Sequence, residues 1–322
     1  MSDAKLLSAA SPLMDRLRQK WVWSYAGVLI LYIVISFVSD NALGTLVASI
    51  SFASFFILVG MGQMLVITTG PGNIDLSIPY TIALAGSAAM KLMNEANGNI
   101  PFGIVLGLVI GALVGAFNFS LIRFILMPPM IATLASSFIV RTLSIVFFRG
   151  LQIKPPAGLE KFVNIKIGFI PVMFLLVLAV AFVMHFILSR SSYGRNIHAI
   201  GQNIRAAWLS GIGVTRHKFV TYMLSGSFAA LTGIFLAAFS GGATLDMGDE
   251  YMLNSIAVVV LGGSNIAGGD SNIPGIVGAS VLLYLIVNLL NILGLGAGLR
   301  FIFTGLVIVG IIFASGERMR KN

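Results

Sequence analysis

The chain has 322 residues, of which 57% are hydrophobic and only 10% are charged, and its mean hydropathy is +0.98. A soluble domain carries about a quarter charged residues, so this composition excludes a soluble globular protein. The net charge of +9 would suit binding to nucleic acid, but the positions of the cationic residues, described below, argue against it. The absence of cysteine gives no information on the redox compartment.

Apolar runs follow one another along the whole chain. They are too long for β-strands and, with their flanks, approach the ~20 residues that cross a bilayer as an α-helix, so the sequence predicts an all-α polytopic membrane protein. The first run is not followed by a small-residue cleavage pattern and is expected to remain as a span. We predict about ten transmembrane helices, near residues 22–38, 44–69, 77–93, 100–122, 126–148, 168–189, 219–240, 252–268, 273–293 and 298–315.

The predicted spans make one transmembrane domain, residues 21–316, between two short tails, residues 1–20 and 317–322. If both tails are cytoplasmic, four cationic residues precede the first span, one ends the fourth, five lie in the loop 190–218 and three lie in the C-terminal tail. Excess Lys and Arg mark the cytoplasmic side, so we predict this orientation although the loop 149–166 places four cations outside. The net charge then reflects topology, and no nucleic-acid partner is expected.

Glycine recurs every fourth residue in the fourth predicted span, at Gly107, Gly111 and Gly115. Small residues at this spacing share one helix face and let two helix backbones approach closely in lipid. The pattern therefore predicts a tight helix–helix contact, with a moving hinge as the minor alternative.

The inventory of catalytic side chains is small. Three histidines are present without an H-x-x-x-H pair, and no Gly-Lys pair is available for a phosphate-binding loop, so neither a metal site nor ATP hydrolysis is predicted in this chain. Among the eleven acidic residues only Asp75 falls in a segment that the membrane would enclose. Ion-coupled carriers usually keep carboxylates within their spans, so the sequence favours another energy source. No catalytic residue is predicted.

The segment from Thr69 to Ser77 reads Thr-Gly-Pro-Gly-Asn-Ile-Asp-Leu-Ser and interrupts two apolar runs. Gly and Pro break the helix, and exposed peptide groups at membrane depth must line protein or a water-filled cavity. One interpretation is a broken or re-entrant segment near 70–77 that hydrogen-bonds a hydroxylated solute. The other is an ordinary cytoplasmic turn in which Asp75 or Ser77 caps the next helix.

The loop between the sixth and seventh spans predicts a short helix near 203–210. Asn203 is a good N-cap, and Gly211 suits the C-terminal stop. Ala206 and Ala207, with Gly201 before them, leave room for the surface of a partner protein. The alternative is an amphipathic helix lying on the membrane surface.

Four segments together resemble the permease subunits of ribose- and galactose-type ATP-binding cassette importers. They are Gly-Asn-Ile-Asp-Leu-Ser at 72–77, Pro-Pro-Met-Ile-Ala-Thr-Leu at 128–134, the 193–214 loop, and Leu-Gly-Gly-Ser-Asn-Ile-Ala-Gly-Gly at 261–269. The resemblance covers nearly the whole chain. The first segment departs from the family's Gly-Ile-Asp-Leu-Ser-Val-Gly core, because residues 71–73 lengthen it and Pro79 follows closely.

The resemblance implies a subunit of the bacterial inner membrane that is not itself an enzyme. Its expected partners are ATPase subunits that bind ATP and Mg²⁺, a periplasmic solute-binding protein, and a second permease copy, identical or related. In the family the 193–214 loop couples to the ATPase, which implies a role for Gly194, Arg195, Ala199, Gly201, Asn203, Ala206, Ala207 and Gly211. Candidate residues of the solute pathway are Gln63, Thr69, Asn73, Asp75, Ser77, Asn118, Asn254, Asn288 and Asn291.

Alternatives to a monosaccharide importer stay open at this point. The polar residues within the spans could equally form interhelical hydrogen bonds. The solute could be a nucleoside or a signalling molecule. A channel or secondary carrier is disfavoured by the scarcity of intramembrane acids and by the coupling loop, and a membrane enzyme by the missing catalytic residues.

Overall fold

The computed structural model of the chain describes residues 21–151 and 153–296, together with residues 298, 299, 302, 305 and 306. These parts are helical apart from loops and one two-stranded hairpin. The elements are α1 (Val22–Val38), α2 (Ala42–Thr68), α3 (Ile78–Met93), a 3₁₀ turn (Asn97–Asn99), α4 (Ile100–Phe124), α5 (Pro129–Phe148), α6 (Ala157–Asn164), β1 (Lys166–Ile167), β2 (Ile170–Pro171), α7 (Val172–Arg190), α8 (Ser192–Gln202), α9 (Ile204–Leu209), α10 (Val214–Phe239), α11 (Tyr251–Leu261) and α12 (Ile273–Ile292).

Six helices in the described part of the chain are long and apolar enough to cross a membrane, namely α2, α4 with its 3₁₀ turn, α5, α7, α10 and α12. The predicted helical, multi-pass membrane fold is therefore confirmed. The first and third predicted spans correspond to α1 and α3, which have 17 and 16 residues and fall short of the length of a full span. The tenth predicted span, 298–315, lies largely outside the described residues.

The structure differs from the prediction at the eighth span, 252–268. Helix α11 ends at Leu261 after 11 residues, which gives a length of about 16 Å against a hydrocarbon core of about 30 Å. Beyond it Gly263, Gly268 and Gly269 have positive φ angles of 85°, 88° and 77°, a conformation that glycine adopts without strain and that a continuing helix excludes. Apolar composition alone did not reveal this loop.

Helix α2 is the centre of the bundle, because every residue from Ala53 to Gly70 is buried. The outer helices carry large exposed apolar side chains, for example Phe182 on α7, which is 72% exposed. Such a surface suits lipid and would be unusual in water.

The bundle has two distinguishable ends. At the α8–α9 end, the Gly269 N–H donates to the Thr68 carbonyl at the end of α2 over 2.9 Å. At the opposite end, here the hairpin end, α6 and the β1–β2 hairpin pack near the 3₁₀ turn, where the Gly158 N–H donates to Asn97 Oδ1 over 2.8 Å. These two ends define depth in the bundle.

The predicted glycine contact is confirmed, and the partner of α4 is α10. A Cβ atom at Gly111 would overlap the Gly226 carbonyl, and one at Gly115 would overlap the Tyr222 carbonyl. Gly107 lies against Ile234 one turn further along. The two backbones therefore touch, and this contact fixes the position of the α10 side chains that reach the broken segment.

Candidate functional site: the broken segment and the α8–α9 surface

Residues 69–77 join α2 to α3 without regular helix. Gly70 and Gly72 have φ angles of 129° and 73° on either side of Pro71, so the chain reverses through conformations that favour glycine. Beyond this turn Asn73, Asp75 and Ser77 are buried. The segment returns into the bundle, where its polar groups need partners.

The Asp75 carboxyl group is the centre of the polar cluster. Its Oδ1 accepts hydrogen bonds from the Ser77 N–H (3.0 Å), the Ser77 hydroxyl (2.6 Å) and Asn118 Nδ2 (3.3 Å). Its Oδ2 accepts from the Ser225 hydroxyl over 2.8 Å. All four donors are uncharged groups, and Asp75 is only 1% exposed. A carboxyl oxygen is a strong hydrogen-bond acceptor, so the Asp75 side chain joins α3, α4 and α10 to one another.

The peptide groups of the segment are bound by side chains of neighbouring helices. The Asp75 N–H donates to Gln63 Oε1 on α2 over 3.3 Å, and the Leu76 N–H donates to Thr133 Oγ1 on α5 over 3.1 Å. The Thr133 hydroxyl contacts the Ile74 carbonyl at 3.0 Å. Buried peptide groups outside a helix require such partners, so the cluster is what allows the chain to be non-helical here.

Asn73 extends the cluster toward the α8–α9 end. Its Nδ2 donates to the Gly70 carbonyl over 3.0 Å, and its Oδ1 accepts from the Tyr222 hydroxyl over 3.4 Å. Thr69, also predicted for the pathway, is buried but donates to the Val66 carbonyl of its own helix over 2.8 Å.

The structure brings together five predicted pathway residues, Gln63, Asn73, Asp75, Ser77 and Asn118. It leaves three apart. Asn254 is half-buried on α11 and Asn291 is exposed near the end of α12. Asn288 donates to the Ser49 hydroxyl over 2.7 Å and so joins α12 to α2, which is the interhelical hydrogen bond held as the alternative.

Three residues of the cluster were missed from the sequence, Thr133, Tyr222 and Ser225. Thr133 lies inside the 128–134 segment that carries the family resemblance, and it could have been identified there. Tyr222 and Ser225 lie in an unremarkable part of α10, and only the packing of α10 against α4 reveals them. Among the described residues no group of three or more His, Asp or Glu side chains is arranged to hold a metal ion.

The predicted short helix exists as α9. Asn203 Oδ1 accepts from the Arg205 and Ala206 N–H groups over 3.1 and 3.0 Å, and Gly211 has a φ angle of 82°. Ala206 is exposed, but Ala207 is only 4% exposed and faces the chain itself. The outer surface of α9 instead carries bulky side chains. Ile204, Trp208 and Leu209 have exposed fractions of 49%, 67% and 71%, and the exposed Arg205 lies among them.

Gly201, which was predicted to leave room for a partner, and Gly194, which belongs to the set implied for ATPase coupling, both face inward. A Cβ atom at Gly201 would overlap the Thr68 carbonyl and the Gly269 nitrogen, and one at Gly194 would overlap the Leu188 carbonyl. The space next to Gly201 is therefore filled by the backbone of Thr68 and Gly269 in the same chain. Two further residues of the predicted set behave differently: Arg195 is exposed and Ala199 is half-buried.

A loop of residues 262–272, here the glycine loop, lies between α8 and the broken segment. Gln202 Nε2 donates to the Gly269 carbonyl over 3.3 Å, and His198 Nε2 lies 2.7 Å from the Ser271 hydroxyl. On the other side, a Cβ atom at Gly268 would overlap the backbone of Gly70. Backbone contacts thus run without interruption from α8 to the turn that begins the broken segment.

His198 is half-buried in this contact. Burial lowers the pKa of His198, and the nearby Asp270 carboxylate opposes that shift only in part. A neutral imidazole keeps one nitrogen free to accept from the Ser271 hydroxyl.

A family model described as branched-chain amino acid transport system / permease component matches residues 45–312. The chain is 34% identical to the ribose import permease protein of Bacillus subtilis (strain 168) over 88% of this chain and 89% of that protein. It is 28% identical to an autoinducer 2 import system permease protein of Photorhabdus temperata, with 92% and 91% covered. It is also 28% identical to the L-arabinose transport system permease protein of Escherichia coli (strain K12), with 94% and 93% covered. No solved structure matches significantly.

The polar cluster predicts different effects for two substitutions of Asp75. Asp75→Leu removes the acceptor of four buried donors and should destabilise the chain by about 4 kcal/mol or more, because each of the four donors left unpaired costs about 1–3 kcal/mol. Asp75→Asn keeps one oxygen and adds an NH₂ group that can donate to Ser225, so the loss should be about 1 kcal/mol. Thermal unfolding of the detergent-solubilised chain measures both. Equal melting temperatures for Asp75→Leu and wild type would contradict the role of the cluster, and Asn254→Leu is the control.

Proposed function

Because the chain belongs to the family of branched-chain amino acid transport system / permease components, we propose that it forms the membrane pathway of an ATP-binding cassette importer for a small hydroxylated solute, most simply a monosaccharide. The named ribose and arabinose permeases support a sugar. The autoinducer 2 permease supports the second candidate, a signalling molecule. ATP and Mg²⁺ are bound by a separate ATPase subunit.

One observation carries the mechanism: an exposed helix pair is packed through backbone contacts onto a buried polar break in the membrane helices. The backbones of Gly201 on α8 and Gly269 in the glycine loop pack directly against each other, with no side chain between them. A movement of α8 therefore also moves the glycine loop. The glycine loop in turn presses on Gly70, at the start of the broken segment. ATP-driven movement of the ATPase is thereby passed to the Asp75 cluster, which rearranges between inward-open and outward-open states.

The docking surface is the outer face of α9, made of Ile204, Trp208 and Leu209. A partly exposed apolar face on a short capped helix suits a groove in a partner protein, and a Trp is the side chain most often dominant in such contacts. Ala206 is exposed beside this face, and its small side chain does not add to the apolar surface. Ala207 and Gly201 act from the inside, by holding the helix pair on the bundle.

The Asp75 cluster serves as a gate. Gln63, Asp75 and Asn118 are each at most 1% exposed, so in this conformation they do not line an open channel. Their hydrogen bonds close the segment against α4 and α10, and a solute hydroxyl can replace a broken bond when the segment moves. The 70–77 segment then lies within the membrane as a re-entrant element.

The α8–α9 end faces the cytoplasm in this proposal. Arg190, Arg195, Arg205, Arg216 and Lys218 all lie near it, as the distribution of cations in membrane proteins favours. The first described residues of α1 also lie at this end, since the Ser24 hydroxyl donates to the Leu261 carbonyl over 2.9 Å. Both termini are then cytoplasmic. A periplasmic binding protein docks at the hairpin end, and a second permease copy, identical or related, completes the pathway.

Reconstitution tests the need for an ATPase. We expect liposomes that contain the chain alone to take up no ribose, and uptake to require the ATPase, the binding protein and ATP together. The physical reason is that the gate is closed by buried hydrogen bonds and moves only when α8 is displaced. Rapid ribose flux down a gradient through the chain alone would refute the importer and indicate a channel or carrier.

The docking surface predicts that Trp208→Ala weakens ATPase binding. Loss of a dominant aromatic contact costs about 2 kcal/mol or more, which is about a thirtyfold weaker affinity. Trp23→Ala is the matched control, because Trp23 on α1 is 65% exposed and Trp208 is 67% exposed. The affinity of the purified ATPase for the chain in nanodiscs is measured. If α9 instead lies on the membrane, ATPase affinity will be the same in both variants.

The inward glycine contact predicts that Gly201→Ala uncouples hydrolysis from uptake. The added methyl group overlaps the Thr68 and Gly269 backbones and must push α8 away, while the outer face of α9 is unchanged. ATPase affinity should therefore be retained, and the ATP hydrolysed per solute imported should rise about tenfold or more. Gly213→Ala is the control, since its Cβ would meet only the Arg216 Cβ at 3.9 Å. An unchanged ratio in Gly201→Ala would show that the contact transmits nothing.

A further inference from the structure

One arginine lies in the middle of an apolar span. Arg141 is on α5, about 12 Å along the helix from Thr133, which binds the broken segment, and about 10 Å from Phe148 near the hairpin end. Its side chain is exposed on this chain. An arginine at this depth is not stable against lipid tails and faces either protein or a water-filled cavity.

Tyr80 holds the guanidinium in place. The guanidinium carbon of Arg141 lies 5.2 Å from the centre of the Tyr80 ring, within the range of a cation–π contact. Tyr80 is in the first turn of α3, three residues after Ser77 of the polar cluster. Arg141 is therefore directed to the side of the bundle on which the broken segment ends.

Residues 240–250, here the returning loop, bring acidic groups to the same depth. The loop leaves the hairpin end, where the Ala243 N–H donates to the Ile153 carbonyl over 3.1 Å. It then follows α3 inward, because Met247 packs against Gly86, and a Cβ atom at Gly248 would overlap the Pro79 carbonyl. The next residue, Asp249, thus lies beside the first turn of α3. The depth of this loop also explains why α11 is short.

Arg141 over the Tyr80 ring and Asp249 next to Gly248 therefore lie at the same turn of α3. Asp246 is close as well, because the Asp249 N–H donates to the Asp246 carbonyl over 3.1 Å. All three side chains are exposed on this chain, so charged groups of both signs line a surface at membrane depth. Such a surface requires water, a polar ligand or the polar surface of a second protein chain, and the labelling experiment below separates a water-accessible surface from a covered one.

We propose that Arg141 and Asp249 form a solute contact site in the transport pathway, with Tyr80 as the positioning residue for Arg141. This rests on the proposed function and names the place where the solute is touched. The ligand class is a neutral polyhydroxylated ring. A carboxylate accepts from hydroxyl groups and a guanidinium donates to them, and a sugar hydroxyl is both donor and acceptor. A site with both kinds of group side by side matches this chemistry better than it matches an ion of one sign.

The natural absence of cysteine allows a direct test of water access. Arg141→Cys and Asp249→Cys, each in the full chain in lipid nanodiscs, should react with a charged, membrane-impermeant methanethiosulfonate, because the reacting thiolate requires water. Val105→Cys is the control. Val105 is 58% exposed on the apolar outer face of α4 and should stay unlabelled. Failure of either variant to react, in a sample of that variant that elutes as wild type, would overturn the site.

Uptake by the complete importer tests contact with the solute. With ribose, L-arabinose and D-allose as probes, Arg141→Gln and Asp249→Asn should lower the maximal uptake rate about ten- to hundredfold, the effect of one lost hydrogen bond to a charged group. Arg149→Gln, at the C-terminal end of the same helix, should transport as wild type. ATPase binding should be equal in all variants.

The outcomes separate the two proposals. Normal uptake by Arg141→Gln and Asp249→Asn would overturn the solute contact and leave the importer standing. A wild-type importer that takes up none of the three sugars would refute the sugar substrate, whatever the labelling shows.

Discussion

A break in a membrane helix leaves peptide groups without partners, and the structure meets this cost with one buried carboxyl group. Asp75 accepts from four uncharged donors that come from its own segment, α4 and α10, while Gln63 and Thr133 bind the adjoining peptide groups. Removal of these partners would leave the segment either to become helical or to take up water. The glycine contact between α4 and α10 exists in support of this arrangement, since a wider separation would carry Ser225 out of reach.

The same arrangement explains how the Asp75 cluster, proposed above as a gate, can open while its helices stay folded. The hydrogen bonds from Asn118 on α4 and Ser225 on α10 join these helices to Asp75, so a small displacement of one helix breaks a bond without unfolding any helix. Neutral hydroxyl and amide donors exchange partners readily, because each can also accept or donate elsewhere. The α8–α9 pair and the glycine loop approach from one side, and Arg141 with the returning loop lies on the other. The proposed gate therefore lies between the helix pair proposed to be moved by the ATPase and the proposed solute contact site.

Local features of the sequence predicted what depends on local chemistry. Apolar runs located most helices, Asn203 and Gly211 marked α9, and the spacing of Gly107, Gly111 and Gly115 marked a close helix contact. Features that depend on which elements meet were not predictable. Ser225 carries no pattern of its own, and Arg141 was hidden in an apolar run. Asp249 lies in a loop as predicted, but nothing in the sequence says that this loop folds back along α3. Ala207 and Gly201 were small for the chain's own packing, and size alone does not say which surface a small residue faces.

The two faces of α9 use different residues. Ile204, Trp208 and Leu209 face outward, and Ala207 faces the bundle together with Gly201 of α8. Because no residue serves both surfaces, the outer one can change without disturbing the inner one. If the outer face of α9 binds the ATPase as proposed, a few outward substitutions would adapt the permease to a new ATPase, and its solute pathway would keep the same geometry. The ATPase partner and the transported solute could then change independently of each other. This independence suits a chain whose relatives are named for the import of several different small molecules.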